Sequence, residues 1–154
     1  MERRALDAWT DLVLAHARIT RAMEREMHRS TGLTLPQYDV LLRLAEAPGG
    51  RMRMSDLAES VVYSTGGLTR LTGRMAGAGL VERRPSPDDR RVVRAVLTRR
   101  GRDRLAEASR IHLAGIERHF ARHLLPGEEA PVADFLRRVR VAAYEDGPGR
   151  PDGA

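Results

Sequence analysis

Residues 80–101 read LVERRPSPDDRRVVRAVLTRRG, and they contain the most informative pattern in the chain. It contains two runs typical of strands, residues 80–84 and 92–98, and the second is rich in β-branched side chains. Between the two runs, Pro85 to Arg91 has the Pro, Ser and Asp content of a turn. The stretch therefore predicts a β-hairpin.

Two short helices are predicted directly before the hairpin. Ser55 is expected to cap the first, over residues 56–60. Ser64 and Thr65 are expected to begin the second, and Gly79 is expected to end it. Two short helices joined by a tight turn and followed by a hairpin form the pattern of a winged helix-turn-helix. We assign the helix-turn-helix to residues 55–78 and the wing to residues 80–98.

Longer amphipathic helices are predicted on both sides of this lobe. Apolar residues recur every three or four positions over residues 3–29, 99–124 and 130–144. Thr34 and Gln37 are spaced as a capping box at the start of a further helix. The terminal helices have too little partner surface within one chain, which is typical of helices that pack against a second copy. The predicted fold class is mainly α with a small β-hairpin wing.

The positive charge of the chain lies in its middle third. The 27 basic residues are all Arg, and with 21 acidic residues they give a formal net charge of +6. Residues 51–104 hold 13 Arg against 6 acidic residues, a net of +7, whereas the remainder holds 14 Arg against 15 acidic residues. Codon bias in a GC-rich genome explains the choice of Arg but not its position. A charge field confined to one lobe is expected of a surface that meets a polyanion.

The composition excludes several classes of protein. A chain of 154 residues with 42% hydrophobic and 31% charged residues suits a folded domain. It has no Cys, which excludes disulfides, thiolate metal sites and Cys nucleophiles. It has no apolar run of membrane-spanning length, no signal-peptide pattern and no catalytic or nucleotide-binding motif. We therefore expect a cytoplasmic protein that is not an enzyme, with no cofactor and no membrane partner.

The order of these motifs resembles the MarR family of bacterial transcription regulators. The resemblance is carried by Asp89-Arg90-Arg91, Val96-Leu97-Thr98 with Gly101, Leu35–Tyr38, Ser55–Ala58, Ser64-Thr65, Leu68–Leu71 and Gly79–Arg83. It extends over about residues 5–144. It implies a homodimer that binds a palindromic operator in double-stranded DNA through two winged lobes. It also implies a small-molecule effector, often an anionic aromatic compound, that weakens binding.

On this basis the chain divides into four segments. The expected order is an N-terminal dimerisation helix over residues 1–33, a DNA-binding lobe over 34–98, C-terminal dimerisation helices over 99–145 and a flexible tail over 146–154. The function implied is that of a repressor released by its effector. Two alternatives stay open, which are an architectural or activator protein without an effector and a metal sensor.

The second helix of the helix-turn-helix provides the first set of predicted DNA contacts. Arg70 is expected to contact a guanine edge and Arg74 a phosphate. The helix N-terminus attracts phosphate through its free N–H groups, although Ser64 and Thr65 also have a plain role as caps. Arg side chains on an exposed face are also common as solvated charges. The predicted contacts on this helix are Ser64, Thr65, Gly67, Thr69, Arg70 and Arg74.

The hairpin provides the second set of predicted DNA contacts. The resemblance implies that Arg91 enters the minor groove, where a narrow A·T-rich groove has the strongest negative potential. Arg90 is also expected to contact DNA, and Asp89 is expected to support an arginine of the wing. Arg90 and Arg91 could otherwise be ordinary turn charges.

Aromatic and imidazole side chains suggest two further sites. Trp9 and His16 share the inner face of the first helix, where they are candidates for an effector pocket, with a core role as the alternative. His119 and His123 are spaced i, i+4, as two metal ligands on one helix would be. Glu117 is the only nearby carboxylate and there is no Cys, so we predict no metal site.

Overall fold

A computed structural model describes residues 3–61, 65–87, 89 and 91–145 of the chain. It confirms the predicted fold class, a mainly helical protein with a small antiparallel sheet. The elements are α1 (Arg3–Thr31), α2 (Leu35–Glu46), β1 (Arg51–Arg53), α3 (Met54–Ser60), α4 (Thr65–Gly77), β2 (Val81–Pro85), β3 (Val93–Leu97), α5 (Arg99–His119) and α6 (Glu129–Glu145). Short 3-10 turns lie at Pro48–Gly50 and Ala121–His123. None of the helices described is both long and apolar enough to cross a membrane.

The chain forms two compact units. The first extends to Ile116 and contains the helix-turn-helix, the wing and the main core, and the second begins at Glu117 and contains α6. The core of the first unit is built by α2, α3, α4 and the sheet, together with Met27 of α1 and with Leu105 and Ala108 of α5. Its largest fully buried side chains are those of Met27, Val40, Leu41, Leu44, Leu57, Leu68, Thr72, Met75 and Val81.

A capping box begins α2, as predicted. The Gln37 N–H donates to Thr34 Oγ1 at 3.3 Å, and the Thr34 N–H donates to Gln37 Oε1 at 2.9 Å. The Leu35 N–H donates to Glu24 Oε2 of α1 at 2.8 Å. Three side chains therefore satisfy free N–H groups at this helix end, and one of them, Glu24, ties α2 to α1.

The sheet has the strand order β1-β3-β2, and both pairs are antiparallel. β2 and β3 are the predicted hairpin, and β1 adds a third strand of three residues on the other side of β3. Val81, Ala95 and Leu97 are buried on one face of the sheet. That face covers the helix-turn-helix, so the hairpin is held in place by the same core as α4.

Leu80 connects α4 to the β-hairpin and to α5. Gly79 has a φ of 71°, and the Leu80 N–H donates to Met75 O at 2.9 Å, which is the bond that closes a Schellman motif. The Leu80 carbonyl accepts from Thr98 Oγ1 at 2.9 Å, and Thr98 Oγ1 accepts from the Gly101 N–H at 2.9 Å. Thr98 therefore caps α5, and the predicted stop of α4 at Gly79 is confirmed.

Two local predictions were wrong. Ser55 does not cap α3, because the helix begins at Met54 and the Ser55 hydroxyl donates to Asp56 Oδ1 at 2.8 Å. The long C-terminal helix does not extend to Leu124. It ends at His119, and Phe120 has the non-helical angles φ −134° and ψ −66°.

The chain after Phe120 tightens into a 3-10 turn. The His123 N–H donates to Phe120 O and the Leu124 N–H donates to Ala121 O, both at 3.0 Å. Such turns are common at the C-terminal ends of helices because they satisfy the last carbonyl groups. Pro126 then disfavours helical geometry at the residue before it. The apolar repeat of the sequence continues through this turn although the helix does not, which is why the predicted helix was too long.

Candidate nucleic-acid interface

α4 has one buried face and one exposed face. Leu68, Leu71 and Met75 are buried. Thr72 is also buried, and its hydroxyl donates to Leu68 O at 2.9 Å, so that its polar group is satisfied within the helix. Because this face is held in the core, the opposite face points outward. The exposed residues on it are Gly67, Thr69, Arg70 and Arg74. Ser64 and the side chain of Thr65 lie outside the described residues.

Arg70 and Arg74 lie one helical turn apart, beside the start of α2. Both line a groove of about 370 Å³. The α1–α2 side of the groove contains Glu24, Thr34 and Pro36. The two guanidinium groups are therefore available along one exposed edge of the winged lobe.

The glycines of α4 leave gaps between the side chains on its outer face. A β-carbon built on Gly66, Gly73 or Gly77 would meet no heavy atom within 4 Å among the described residues. No packing in this part of the chain requires Gly at these positions. Each Gly in a helix interior costs about 1 kcal/mol against Ala, and nothing in the described core compensates for that cost.

Asp89 organises the described part of the wing tip. Its Oδ1 accepts the Arg91 N–H at 2.9 Å, and its carbonyl accepts the Val92 N–H at 3.0 Å. The Ser86 N–H closes the turn by donating to Val92 O at 2.7 Å. Asp89 therefore holds the backbone that carries Arg91, whose side chain is exposed. Arg90, the neighbouring predicted contact, lies outside the described residues.

A larger cavity lies between α1, α2 and α5 in the first unit. Its volume is about 730 Å³, within the range typical of small-molecule sites. His16 lines it, as do the apolar side chains of Met23, Leu35 and Pro36. The other predicted pocket residue, Trp9, is 61% exposed and is not among the described residues that line the cavity.

Two ionisable residues in this cavity have perturbed pKa values. Burial lowers the pKa of His112, and the nearby Asp39 carboxylate partly opposes this. Burial raises the pKa of Asp39, and His112 and Arg43 partly oppose that. The His112 ring lies 4.5 Å from that of Tyr38, and its Nδ1 is buried with no hydrogen-bond partner among the described atoms.

Sequence reasoning gave neither residue a role in the cavity. Neither His112 nor Asp39 was among the residues predicted to form a site. The two residues are 73 positions apart in the sequence. Only the packing of α2 against α5 could have identified them as neighbours.

No metal centre forms among the described residues, where no three His, Asp or Glu side chains come together. His119 is the last residue of α5, and His123 lies in the 3-10 turn that follows it. Phe120 interrupts the helix between them. The two imidazoles therefore do not have the one-face helical spacing on which the metal hypothesis depended.

Comparisons with known proteins identify the family. A family model described as MarR family matches residues 31–92. The transcriptional regulator HosA of Escherichia coli O111:H- is 34% identical over 116 residues, which cover 75% of this chain and 82% of that protein. The HTH-type transcriptional repressor IacR of Pseudomonas putida is 32% identical over 90 residues, 58% of this chain and 52% of that protein.

A solved structure agrees with these sequence relatives. The crystal structure of AbsC, a MarR family transcriptional regulator from Streptomyces coelicolor, matches with a TM-score of 0.87 and 30% identity. The match covers 95% of this chain and 98% of AbsC. The resemblance inferred from the motifs is confirmed. The chain belongs to the MarR family of DNA-binding transcription regulators, whose members are not enzymes.

Proposed function

We propose that this protein is a homodimeric repressor that binds a palindromic operator in double-stranded DNA and releases it when a small molecule binds. The observation that carries the proposal is the exposed face of α4, where Arg70 and Arg74 project from a helix whose other face is fixed in the core. The name of the relative IacR supports repression. In this proposal residues 34–98 read DNA in the cytoplasm, and residues 1–33 and 99–145 form the dimer.

Arg70 reads a base in this proposal, and Arg74 contacts a phosphate. The guanidinium fork of Arg matches O6 and N7 of guanine. The sequence has no Asn, and its one Gln, Gln37, caps α2, so the usual readers of adenine are missing from α4. We therefore expect the operator to be rich in G·C pairs at the centre of each half-site. Arg91 enters the flanking minor groove, with Asp89 holding its backbone.

Dimer formation is supported by large apolar side chains that one protomer leaves exposed. On α1, Leu6, Trp9 and Val13 recur along one face, and each is at least 47% exposed. In the second unit, Phe135 and Val139 recur on α6 and are 50% and 41% exposed. Exposed apolar patches of this kind mark interaction surfaces. A second copy of the chain is the partner proposed here.

The cavity between α1, α2 and α5 is the proposed effector site. Arg21 and Arg25 bring cationic groups, and His16 brings an imidazole, to a cavity whose wall includes Met23 and Leu35. A small aromatic anion fits this combination, because its ring contacts the apolar wall and its charge pairs with a guanidinium. Pockets that bind small molecules typically combine an apolar lining with a few convergent polar groups.

Glu24 and Pro36 give the cavity a physical route to the DNA-reading helix. Both residues line the effector cavity, and both also line the groove that contains Arg70 and Arg74. Glu24 also accepts the N–H of Leu35 at the start of α2. A ligand that displaces Glu24 would free this helix end and shift one wall of the α4 groove.

The experiment that tests the function is selection of DNA sites from a random duplex library by the wild-type protein. The expected result is an enriched palindrome. Against that site, Arg70→Ala should lose about 1–3 kcal/mol and relax the preference at one position of each half-site. Arg74→Ala should weaken operator and random DNA equally. Enrichment of no sequence would reject a sequence-specific regulator in favour of an architectural protein.

The dimer is tested separately by sedimentation. Phe135→Asp should shift the protein towards monomer and weaken DNA binding together. Arg137 lies on the opposite side of α6, in an ion pair with Asp134, so Arg137→Ala is the matched control and should stay dimeric. A wild-type protein that sediments as a monomer at micromolar concentration would exclude the proposed assembly.

Effector release is tested by adding benzoate, the simplest aromatic anion, to the complex with the selected site. Millimolar benzoate should reduce the affinity for DNA, and Arg21→Ala should make the complex less sensitive to it. Release by other small molecules but not by aromatic anions would contradict the ligand class. Absence of release by any compound that occupies the cavity would favour a regulator without an effector.

A further inference from the structure

The outer face of the sheet carries a row of arginines that has no assigned role. In the β1–β3 pair Arg53 lies opposite Arg94, and in the β3–β2 pair Arg94 lies opposite Arg84. Residues directly opposite each other in an antiparallel sheet project from the same face. Arg53, Arg94 and Arg84 therefore form a row across all three strands, on the face opposite the buried Ala95 and Leu97. Arg53 and Arg84 are exposed, and Arg94 between them is half-buried.

Positive charge exceeds negative charge on this face. Arg51 lies two residues before Arg53 on β1, so it shares the face. Glu82 is the acidic residue of this face on β2, and its Oε2 accepts from Arg84 Nε at 2.6 Å. Asp56 lies at the β1 end, where it lines a concave surface of about 410 Å³ with Arg51, Arg53 and Arg94. Among the described residues of this face, these four Arg and two carboxylates give an excess of two positive charges.

Such a row is unfavourable for the sheet by itself. Like charges directly opposite each other destabilise a strand pair, and Arg94 has Arg neighbours on both sides. Hydrophobic or mixed-charge pairs would stabilise a three-stranded sheet better. The arrangement is therefore suited to a partner that supplies several negative charges at close spacing.

The dimensions of the row match a nucleic-acid strand. Adjacent strands lie about 4.8 Å apart, so the row from Arg53 to Arg84 spans about 10 Å. A strand of a DNA duplex rises about 3.4 Å along the helix axis for each phosphate, and it also winds around the axis, so its phosphates are farther apart than this rise. The row therefore faces about two phosphates of one strand. Guanidinium groups bind phosphate oxygens in a bidentate manner, which a row of Arg can repeat from one phosphate to the next.

We propose that this arginine row (Arg53, Arg94 and Arg84, with Arg51 beside it) is a second DNA-contacting surface, which binds phosphates flanking the bases read by α4. The proposal rests on the DNA-binding function proposed above. Arg94 lies three residues after Arg91, about 10 Å along the strand. If Arg91 enters a minor groove, the strands behind it run over the phosphate wall of that groove.

The test measures binding to a random-sequence duplex of about 40 base pairs by fluorescence anisotropy at several salt concentrations. Each phosphate contact contributes about 0.9 to the slope of log affinity against log salt. We expect Arg53→Ala and Arg94→Ala each to reduce the slope by about one and the double variant by about two. Arg94→Lys, which keeps the charge, should retain most of the slope, and this separates a lost contact from a damaged sheet.

Arg110→Ala is the matched control, because Arg110 is exposed on α5, away from the sheet, and its loss changes the net charge equally. This variant should keep the wild-type slope, and the sequence preference of all variants for the selected operator should be unchanged. Wild-type slopes in Arg53→Ala and Arg94→Ala, or an equal loss in Arg110→Ala, would overturn the proposal.

Three other outcomes of the binding experiments would each lead to a different conclusion. Unchanged DNA slopes together with weaker binding to poly-glutamate would assign the arginine row to an acidic protein partner and overturn the DNA proposal. If the wild-type protein binds neither random nor selected DNA, the proposed function fails and this inference fails with it. A wild type that binds DNA with a normal slope, beside unaffected variants, rejects the arginine row alone.

Discussion

Adding one methyl group at Gly101 should strongly reduce the stability of the folded protein. A β-carbon built there would lie 2.1 Å from the Leu80 carbonyl oxygen and 2.8 Å from Leu97 Cδ1. Ordinary contact between these atom types needs more than 3 Å, so the backbone must separate by about 1 Å. The obstructing atom is a main-chain oxygen, which cannot rotate away. Gly101→Ala therefore forces α5 and the turn after α4 apart.

The expected loss follows from these contacts. Overpacking of this kind costs about 1–3 kcal/mol. The Leu80 carbonyl also accepts from the hydroxyl and the N–H of Thr98, at 2.9 and 3.3 Å, and weakening these bonds costs about 1 kcal/mol more. The helix propensity of Ala returns at most about 1 kcal/mol. The net destabilisation should be about 1–3 kcal/mol, which for a chain of this size lowers the melting temperature by roughly 3–10 °C.

Denaturant unfolding followed by circular dichroism, at equal protein concentrations, measures this loss. Gly115→Ala is the control on the same helix, because its β-carbon would meet only side-chain atoms within 4 Å, those of Met23 at 3.3 and 3.4 Å and Glu26 Oε2 at 3.7 Å. The flexible Met23 side chain can move, so the control should change stability by less than about 1 kcal/mol. A Gly101→Ala protein as stable as the wild type would refute the steric reasoning. DNA binding should also weaken in Gly101→Ala, since Leu80 follows α4 directly.

Three further changes test the rest of the structure. Gly73→Ala should raise the free energy of unfolding by about 1 kcal/mol, because the new methyl group meets no described atom within 4 Å; a lower melting temperature would contradict this. Thr34→Ala should cost about 1 kcal/mol by loss of the α2 cap, whereas Thr34→Ser should cost much less, and equal losses in the two variants would show that the cap is not responsible. Because burial lowers the pKa of His112 below its usual 6.5, the unfolded chain takes up this proton at a higher pH than the folded chain, so stability should fall as the pH drops through 6.5. Measured as unfolding free energy against pH, this fall should be absent in His112→Gln and steeper in Asp39→Asn, which removes the carboxylate that opposes the shift; identical pH profiles for all three proteins would contradict it.

Local sequence signals predicted those parts of the fold that depend on neighbouring residues. The capping box at Thr34 and the helix stop at Gly79 each depend on contacts within a few positions, so residue type and spacing are sufficient. The cap at Ser55 failed because Arg53 already provides the extended residue at which α3 begins. The end of α5 failed because the apolar repeat continues through Phe120 although the backbone does not.

The cavity needed information that no local pattern contains. His16, His112 and Asp39 come from three helices, and each helix is amphipathic whether or not a cavity lies between them. Burial of His112 and Asp39 also depends on how closely those helices pack. The candidate DNA contacts were more accessible to prediction, because the exposed face of α4 follows directly from its buried face. Leu68, Leu71 and Met75 define the inside, and Arg70 and Arg74 must then lie outside.

Strand register is the feature with the largest consequence that the sequence could not reveal. β1 has three residues and lies 40 positions before its partner β3, so its alternation carries too little information to choose a register. The choice is made by Met52, which lies opposite Ala95 on the core side of the sheet. A shift by one residue would turn Met52 outward and bury Arg51 and Arg53, which the core excludes. The same packing constraint that orients Met52 therefore places Arg53 opposite Arg94, and the arginine row is a consequence of how the core closes.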